Sequence, residues 1–263
     1  MNDQPAVLYS AQNSIATITL NRPDMMNAMN DALMNGISDA MRRVESDTSI
    51  RVVILTGQGR GFCAGADLAA AAQPSSKSSG PTDSMEDQFN PAMRAVYDCP
   101  VPTIAQINGA AAGGGLGLAL ACDIAIAAKS AFFVATFGPK LGIVPDLGTT
   151  WNLPRKIGRA RALGMSLLGD RISAEQALEW GMIWDVVEDD QLGNAVAKAA
   201  ELLSHTSPEA MTRIRHSVDA ALDNTFSEQL DLEMEHQSVL IPQNMTEGAK
   251  AFMEKRAPHF KGR

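Results

Sequence analysis

The stretch Thr103-Ile-Ala-Gln-Ile-Asn108-Gly-Ala-Ala-Ala-Gly-Gly-Gly-Leu-Gly117 passes from a β-branched run into a run of glycines. Its first half predicts a strand over 103–108, and its second half leads into a Gly/Ala-rich helix over about 114–121. A glycine run between a strand and a helix exposes free backbone N–H groups at the positive end of the helix dipole. The stretch therefore predicts an α/β element with a ligand-binding loop at its turn.

A second loop of small residues, Phe62-Cys-Ala-Gly-Ala-Asp-Leu68, follows an apolar run at 51–56 that predicts a strand buried on both faces. The small side chains at 63–66 let the backbone come close to a ligand. Two such loops after neighbouring parallel strands can aim two N–H groups at one oxygen atom, which is the arrangement of an oxyanion hole. Either loop alone is equally compatible with tight backbone packing, so the argument depends on the pair.

Strand patterns alternate with helix patterns through the first two thirds of the chain, whereas the last third is almost entirely helical. Such alternation predicts an α/β fold with right-handed crossovers and a largely parallel sheet. The further predicted strands are 15–20, 123–127, 132–134 and a short 185–187. One helix is predicted after Asn30 as its N-cap, and others over 173–181, 192–203, 208–222, 227–239 and 246–256. We divide the chain into a core at 1–200 and a helical region at 201–263.

Composition argues against several classes of protein. The net charge of −8, without a Lys/Arg-dense block, argues against nucleic-acid binding. Three cysteines without a C-x-x-C pair predict neither a disulfide framework nor a structural zinc site. Residues 1–9 lack the basic and apolar regions of a signal peptide, and the apolar stretch 104–128 is interrupted by five glycines. We therefore expect a cytoplasmic protein with no metal site and no nucleic-acid or membrane partner.

Two other features carry less weight. Gly57-Gln-Gly-Arg-Gly-Phe62 resembles the start of a dinucleotide-binding fingerprint, but Phe62 stands at the third glycine position and no acidic residue follows about 20 residues later. The segment 69–84 is rich in Ala and then in Ser, Gly, Pro and Lys, which predicts a surface loop. That loop is either a lid over a ligand pocket or a plain connector.

Five landmarks occur in order: Asn21-Arg-Pro with Asn27-Ala28, Gly61 to Leu68, Asn108-Gly with Gly113 to Gly115, Ala121-Cys-Asp123, and Gly142-Ile-Val-Pro145. In combination they resemble the landmarks of the crotonase (enoyl-CoA hydratase/isomerase) superfamily, and the resemblance extends over 15–260. It implies a spiral of ββα repeats followed by a C-terminal helical trimerisation region. The expected assembly is a homotrimer or a dimer of trimers.

The resemblance also implies an acyl-CoA substrate, with coenzyme A as part of that substrate and no tightly bound cofactor. Carried over position by position, the oxyanion hole consists of the N–H groups of Ala64 and Gly114. The residues implied to contact coenzyme A are Ala66, Asp67 and Leu68 around the adenine, and Arg22, Met26 and Ala28 along the pantetheine and phosphate path.

The departures from the family pattern decide the expected reaction. Hydratases of this family hold water with two glutamates, and the resemblance places these at Gly117 and Gly138, which carry no carboxylate. Asp146 instead corresponds to the aspartate of family members that shift double bonds. The segments 145–151, 158–162 and 179–184 resemble the ring-1,2-epoxyphenylacetyl-CoA isomerase branch. The structural alternative for Asp146 is an N-cap of the helix that follows it.

We therefore expect an acyl-CoA isomerase in which Asp146 moves a proton while the oxyanion hole stabilises a thioester enolate. The substrate is expected to be an unsaturated acyl-CoA or the ring epoxide of phenylacetyl-CoA. Two alternatives remain open: a hydratase that uses Glu86 or Asp87 as its acid, and a non-catalytic acyl-CoA-binding subunit. All four histidines lie in the last third of the chain, which disfavours a histidine base near the glycine loops.

Overall fold

The computed structural model describes residues 4–71 and 85–262, so most of the predicted surface loop at 69–84 lies outside the described residues. Within them the strands form two sheets. The larger sheet contains β1 (Val7–Gln12), β2 (Ile15–Leu20), β3 (Val52–Gly57), β5 (Thr103–Ile107), β7 (Ile124–Ala128) and β10 (Asp185–Val187), in that order. The smaller sheet contains β4 (Gly61–Cys63), β6 (Ala110–Ala112), β8 (Phe132–Val134) and β9 (Ile172–Ser173), in that order.

From β3 to β8, consecutive strands alternate between the two sheets. β3, β5 and β7 lie side by side and parallel in the larger sheet, and the strand that follows each of them lies in the smaller one. β4, β6 and β8 are likewise parallel, whereas β1 with β2 and β8 with β9 are antiparallel pairs. Each repeat of the chain thus adds one strand to each sheet, and the α/β spiral of ββα repeats that the resemblance implied is confirmed.

The helices of the described residues cover these sheets and form the end of the chain. They are α1 (Asp31–Ser46), α2 (Leu68–Ala71), α3 (Asn90–Tyr97), α4 (Gly114–Ala121), α5 (Thr149–Leu168), α6 (Ala174–Glu179), α7 (Leu192–Ser204), α8 (Pro208–Ala220) and α9 (Phe226–Glu254). Asn30 caps α1 as predicted, because its side-chain oxygen accepts a hydrogen bond of 3.0 Å from the N–H of Leu33. Every residue of β3 is buried, which confirms that this strand is covered on both faces.

Two parts of the secondary structure differ from the sequence prediction. The predicted helices 227–239 and 246–256 form one continuous helix, α9, which begins with a capping box at Thr225 and passes through Pro242. An interior proline removes one backbone donor and crowds the preceding turn, yet α9 continues through Pro242, so the break expected between the two segments does not occur. β4 and β6 lie within the predicted glycine loops, where three residues are too few to show a periodic pattern.

No helix within residues 4–71 and 85–262 is long and apolar enough to cross a membrane.

Candidate active site

The two glycine loops meet where the smaller sheet joins α4. β4 pairs with β6 through Gly61 opposite Ala110, which brings the ends of both loops together. A Cβ atom built onto Gly65 would lie 2.8 Å from the carbonyl oxygen of Ala112 and 3.2 Å from the backbone nitrogen of Gly114. Gly65 also has a φ of +89°, which favours glycine. Close backbone contact, rather than side-chain packing, therefore holds the loops against each other.

The two N–H groups predicted to form the oxyanion hole differ in their hydrogen bonding. Gly114 is the first residue of α4, so its N–H has no acceptor within the helix. The N–H of Ala64 donates a hydrogen bond of 3.0 Å to the carbonyl oxygen of Met26. A thioester oxygen can use Ala64 only by sharing or replacing that carbonyl.

The segment 22–29 runs alongside the glycine loop at 62–68 and contains a residue whose role the sequence did not reveal. Asn27 is fully buried and has a φ of 56°. Its side-chain amide donates to the carbonyl oxygens of Gln58 (3.0 Å) and Gly61 (2.8 Å). Its side-chain oxygen accepts from the backbone N–H of Arg22 at 2.8 Å. Asn27 thus joins the segment to the loop, and its only sequence signal was its place in a landmark.

The residues predicted to bind coenzyme A lie together around this segment. Arg22 donates to the carbonyl oxygen of Ala28 and forms a 2.7 Å ion pair with Asp67, whose carboxylate is buried. Ala66 and Leu68 are exposed, and Leu68 keeps 55% of its surface accessible. The guanidinium charge of Arg22 is therefore already paired within the protein, whereas the backbone around Ala66 and Leu68 faces outward.

Asp146 lies on a left-handed turn that packs against α4. The next two residues, Leu147 and Gly148, have φ values of 49° and 76°. The carbonyl oxygen of Asp146 accepts a 2.9 Å hydrogen bond from the N–H of Thr149. The N-cap of α5 is Gly148, and there is no side-chain capping hydrogen bond. The alternative that Asp146 caps this helix is therefore wrong. Burial raises the pKa of the half-buried Asp146 carboxyl.

Gly117 and Gly138, where the resemblance places the two hydratase glutamates, are closely packed. A Cβ atom on Gly117 would overlap the carbonyl oxygen of Leu147 and lie 2.9 Å from the hydroxyl oxygen of Thr149. A Cβ atom on Gly138 would lie 2.9 Å from the carbonyl oxygen of Ser166. Neither position has room for a glutamate side chain in the backbone arrangement of this chain.

A cavity of about 400 Å³ opens beside the Asp146 turn, between α3 and α5. Its aromatic walls are Tyr97 and Trp151, whose ring centroids are 5.5 Å apart in an edge-to-face contact. The guanidinium of Arg155 stacks on the outer side of Trp151, 4.1 Å from the ring centroid. The remaining lining residues are Asn90, Met93, Arg94, Ala121, Leu147, Gly148 and Asn152. The shared residues Leu147 and Gly148 make this cavity continuous with the Asp146 turn.

The other candidate acids have positions that fit structural roles better. Glu86 and Asp87 are exposed on the turn before α3. Asp123 accepts hydrogen bonds from the backbone N–H and hydroxyl of Thr103 and pairs with Arg215 at 2.6 Å. Among the described residues, no cluster of three or more His, Cys, Asp or Glu side chains has the arrangement of a metal site.

A larger cavity, of about 590 Å³, lies away from these loops, between α8, α9 and the C-terminal tail. Its walls include His216 and His236, whose ring nitrogens are 3.3 Å apart. It contains none of the residues that the sequence predicted for catalysis or coenzyme A binding. We therefore place the candidate site at the glycine loops despite the smaller volume there.

Comparisons with known proteins point to the same family. Residues 10–263 match the family model described as enoyl-CoA hydratase/isomerase. A 1,2-epoxyphenylacetyl-CoA isomerase of Escherichia coli is 43% identical over 98% of both chains, and a probable enoyl-CoA hydratase of Rhodobacter capsulatus is 39% identical over 98% of both. A crystal structure of a putative enoyl-CoA hydratase/isomerase from Mycobacterium abscessus superposes with a TM-score of 0.91 at 31% identity, covering 98% of this chain and 100% of that one. Since the match spans nearly the whole chain in both sequence and fold, the protein belongs to the enoyl-CoA hydratase/isomerase, or crotonase, family.

Proposed function

We propose that the protein is an acyl-CoA isomerase in which Asp146 carries a proton between two carbon atoms of the acyl group. The observation that supports this most directly is the packing at Gly117. The carbonyl of Leu147 lies against Gly117, the position that the resemblance assigns to a hydratase glutamate, and the turn that carries this carbonyl also carries Asp146. Gly117 and Gly138 carry no carboxylate to hold water, whereas the described turn supplies the half-buried carboxyl group of Asp146.

The chemistry needs only one base and two hydrogen-bond donors. The Asp146 carboxylate removes a proton from a carbon atom near the thioester, and the electron pair moves onto the thioester oxygen. The N–H groups of Gly114 and Ala64 stabilise this enolate oxygen, each at about 3–4 kcal/mol on enzyme precedent. Asp146 then returns the proton to a different carbon atom. No water is consumed. In an unsaturated acyl group the double bond migrates, and in a ring epoxide the strained ring opens to its isomer.

The hydrogen bond that the N–H of Ala64 already makes within the protein adds a step to substrate binding. In the proposed mechanism this N–H exchanges the carbonyl of Met26, its present acceptor, for the thioester oxygen. This exchange favours the transition state over the ground state, because an enolate oxygen is a stronger acceptor than a neutral carbonyl.

The proposed substrate is an acyl-CoA whose adenine lies along Ala66, Asp67 and Leu68, with the pantetheine and phosphates passing Arg22, Met26 and Ala28. The aromatic walls of the 400 Å³ cavity suit a flat acyl group. The similarity to the 1,2-epoxyphenylacetyl-CoA isomerase of Escherichia coli supports a ring epoxide of phenylacetyl-CoA as the substrate, and a linear unsaturated acyl-CoA is the simpler candidate.

The test is a paired assay of the purified protein with a 3-enoyl-CoA and a 2-enoyl-CoA. We expect fast double-bond migration and negligible water addition. Asp146→Asn should lower kcat by at least about 10³-fold while retaining acyl-CoA binding, because it removes the proton carrier and not the CoA contacts. Glu86→Gln and Asp87→Asn should retain wild-type turnover.

Three outcomes contradict the proposal in different ways. Hydration that is lost in Glu86→Gln or Asp87→Asn identifies a hydratase with an unusual acid. Tight binding of several acyl-CoA esters without any reaction identifies a non-catalytic acyl-CoA-binding subunit. Retained kcat in Asp146→Asn removes Asp146 from the mechanism.

The raised pKa of Asp146 gives the proposal a pH signature. The base must be deprotonated, so kcat/KM should fall as the pH drops through a value above the ordinary aspartate pKa of about 4. The folded protein binds this proton more tightly than the unfolded chain, so ionising Asp146 lowers stability as the pH rises through that value. Asp146→Asn should therefore have a higher Tm than the wild type at pH 7.

We further propose that the chain assembles as a homotrimer or a dimer of trimers through its C-terminal helices. The surface that supports this, called here the C-terminal apolar surface, consists of exposed side chains at helical spacing on and after α8 and along α9. They are Ile214, Val218, Leu222, Leu230, Met234, Ile241 and Met245. In the proposed division of the chain at residue 200, α8 and α9 lie wholly in the helical region, and α7 crosses the boundary.

A further inference from the structure

Gly117 lies on the buried face of α4, one turn after Gly114. A Cβ atom at this position would overlap the carbonyl oxygen of Leu147, lie 3.3 Å from the carbonyl carbon and lie 2.9 Å from the hydroxyl oxygen of Thr149. We propose that Gly117 is a positioning residue: its missing side chain lets the carbonyl of Leu147 dock on α4, and this contact fixes the turn that holds Asp146. The inference rests on the proposed function of Asp146 and adds the residue that places it.

The three glycines of α4 differ in what they contact. A Cβ atom on Gly114 would meet the ends of the Leu147 and Met29 side chains, which can rotate away. A Cβ atom on Gly115 would overlap the backbone carbonyl of Cys63, in the glycine loop at 62–68. At Gly117 alone among these three, the obstacle is the backbone of the turn that carries Asp146. Glycine inside a helix costs about 1 kcal/mol relative to alanine, which the docking contact offsets.

The turn needs such support because its backbone is strained. Leu147 adopts a left-handed conformation with a φ of 49°, which costs about 1–2 kcal/mol for a residue with a side chain. Strain of this kind persists only where the surroundings determine the conformation. Here the Leu147 side chain is buried over Gly114, its carbonyl lies on Gly117, and the N–H of Thr149 bonds back to the carbonyl of Asp146. Two of these three supports are contacts with α4.

The contact at Gly117 is directly coupled to the carboxyl group. The docked carbonyl belongs to the residue after Asp146, so the carbonyl and the Asp146 Cα are separated by one residue of a stiff turn. An added Cβ would lie closer to this carbonyl than the 3.0 Å that real Cβ atoms essentially never undercut, so the turn must move outward. A misplacement of about 1 Å at a catalytic group can cost about 10²-fold in rate.

The experiment compares Gly117→Ala with Gly164→Ala in the purified full chain. Gly164 lies inside α5, and a Cβ atom there would have nothing within 4 Å, so this variant is a matched control. We expect Gly117→Ala to lower kcat by at least about tenfold with KM within about threefold of the wild type. Gly164→Ala should keep wild-type kcat and KM.

A second readout follows Asp146 itself, by carboxyl NMR of ¹³C-labelled protein, with Asp146→Asn used to assign the signal. The outward shift exposes the carboxyl group to water, so its pKa should move from the raised value toward the ordinary one. This readout does not depend on activity. If Asp146→Asn keeps its turnover, the proposed function fails, and the titration still decides whether Gly117 positions Asp146.

If Gly117→Ala does not fold, the double variant Gly117→Ala with Leu147→Gly takes its place in both measurements. Glycine at 147 accepts the left-handed region without strain and lets the carbonyl retreat, so the double variant should fold. It should have lower kcat and a less raised Asp146 pKa than Leu147→Gly alone. The inference is overturned if Gly117→Ala, or the double variant relative to Leu147→Gly, leaves the Asp146 titration unchanged, or leaves kcat unchanged although Asp146→Asn loses turnover.

Discussion

The face of α4 at the candidate site and the C-terminal apolar surface are opposite cases of packing. Every residue of α4 is buried, and the contacts of its three glycines are so close that a single added carbon would overlap backbone or side-chain atoms. On α8, Val218 is 65% exposed, and on α9 Met234 is 67% exposed. The first surface is completed within one chain, whereas the second is large and apolar without a cover from the described residues. The difference is the one expected if, as proposed, the chemistry belongs to the spiral and the assembly to the terminal helices.

The largest expected effect tests whether the C-terminal apolar surface is covered by other copies of the chain. Val218→Lys places a charge in the middle of the surface. Burying an unpaired charge costs about 3–5 kcal/mol, so each subunit contact should weaken by at least about 10²-fold. Light scattering should show trimers or dimers of trimers for the wild type, and monomers with retained helical circular dichroism for the variant.

The control for Val218→Lys is Asn194→Lys, which adds the same charge to an exposed polar position on α7. It should leave the assembly unchanged. A wild-type monomer, or a Val218→Lys variant that stays trimeric at micromolar concentration, contradicts the proposed role of this surface.

The same contrast explains which parts of the fold could be predicted from the sequence. The strand at 15–20 and the helix at 114–121 were predicted with the observed bounds, because periodic or small-residue patterns are local. β4 and β6 were missed, because three-residue strands are defined only by the partner that another part of the chain supplies. The continuity of α9 was also missed, since a proline in a helix removes one hydrogen bond and does not by itself end it.

The candidate site likewise contains features that the sequence predicted and features that it could not predict. The meeting of the glycine loops follows from the topology of parallel strands, so the proximity of Ala64 and Gly114 segments was predictable. The hydrogen bond from Ala64 to Met26 and the anchoring by Asn27 were not, because they join segments about 35 residues apart. The absence of glutamates at Gly117 and Gly138 was visible in the sequence. What fills the space at Gly117 was not, because it depends on a left-handed turn at a leucine.

The second prediction, with an intermediate expected effect, concerns the stability of the contact between α9 and α8. His236 and Ala251 are the buried residues of α9 among those described. The His236 ring contacts the hydroxyl of Ser217 at 2.9 Å and the ring of His216 at 3.3 Å. Burial, followed by the charges of Arg213 and His216, lowers the pKa of His236. The neutral ring is therefore the form that stabilises the helix pair.

The pH dependence of stability follows from this sign. The unfolded chain binds a proton at His236 more tightly than the folded protein, so stability rises with pH up to the unfolded pKa of about 6.5 and is lost as the pH falls below it. Each unit of pKa difference contributes about 1.4 kcal/mol. His236→Gln should flatten the fall in Tm between pH 8 and pH 5, whereas His205→Gln, at an exposed position after α7, should not. An unchanged slope in His236→Gln would show that other groups cause the acid sensitivity.

The smallest expected effect asks whether the packing at α4 is steric or polar. The hydroxyl of Thr149 is buried without a hydrogen-bond partner among the described residues, and it lies against Gly117. Thr149→Val keeps the shape and the β-branch and removes the unpaired hydroxyl, so the free energy of unfolding should rise by about 1 kcal/mol, with kcat within twofold of the wild type. The control is Thr103→Val, because the equally buried Thr103 hydroxyl donates to Asp123 and accepts from its N–H, and its loss should cost about 1 kcal/mol or more. Urea unfolding of both variants gives the comparison. If Thr149→Val is destabilised as much as Thr103→Val, the Thr149 hydroxyl has a polar role at α4, and the fit of the Leu147 turn on Gly117 does not depend on shape alone.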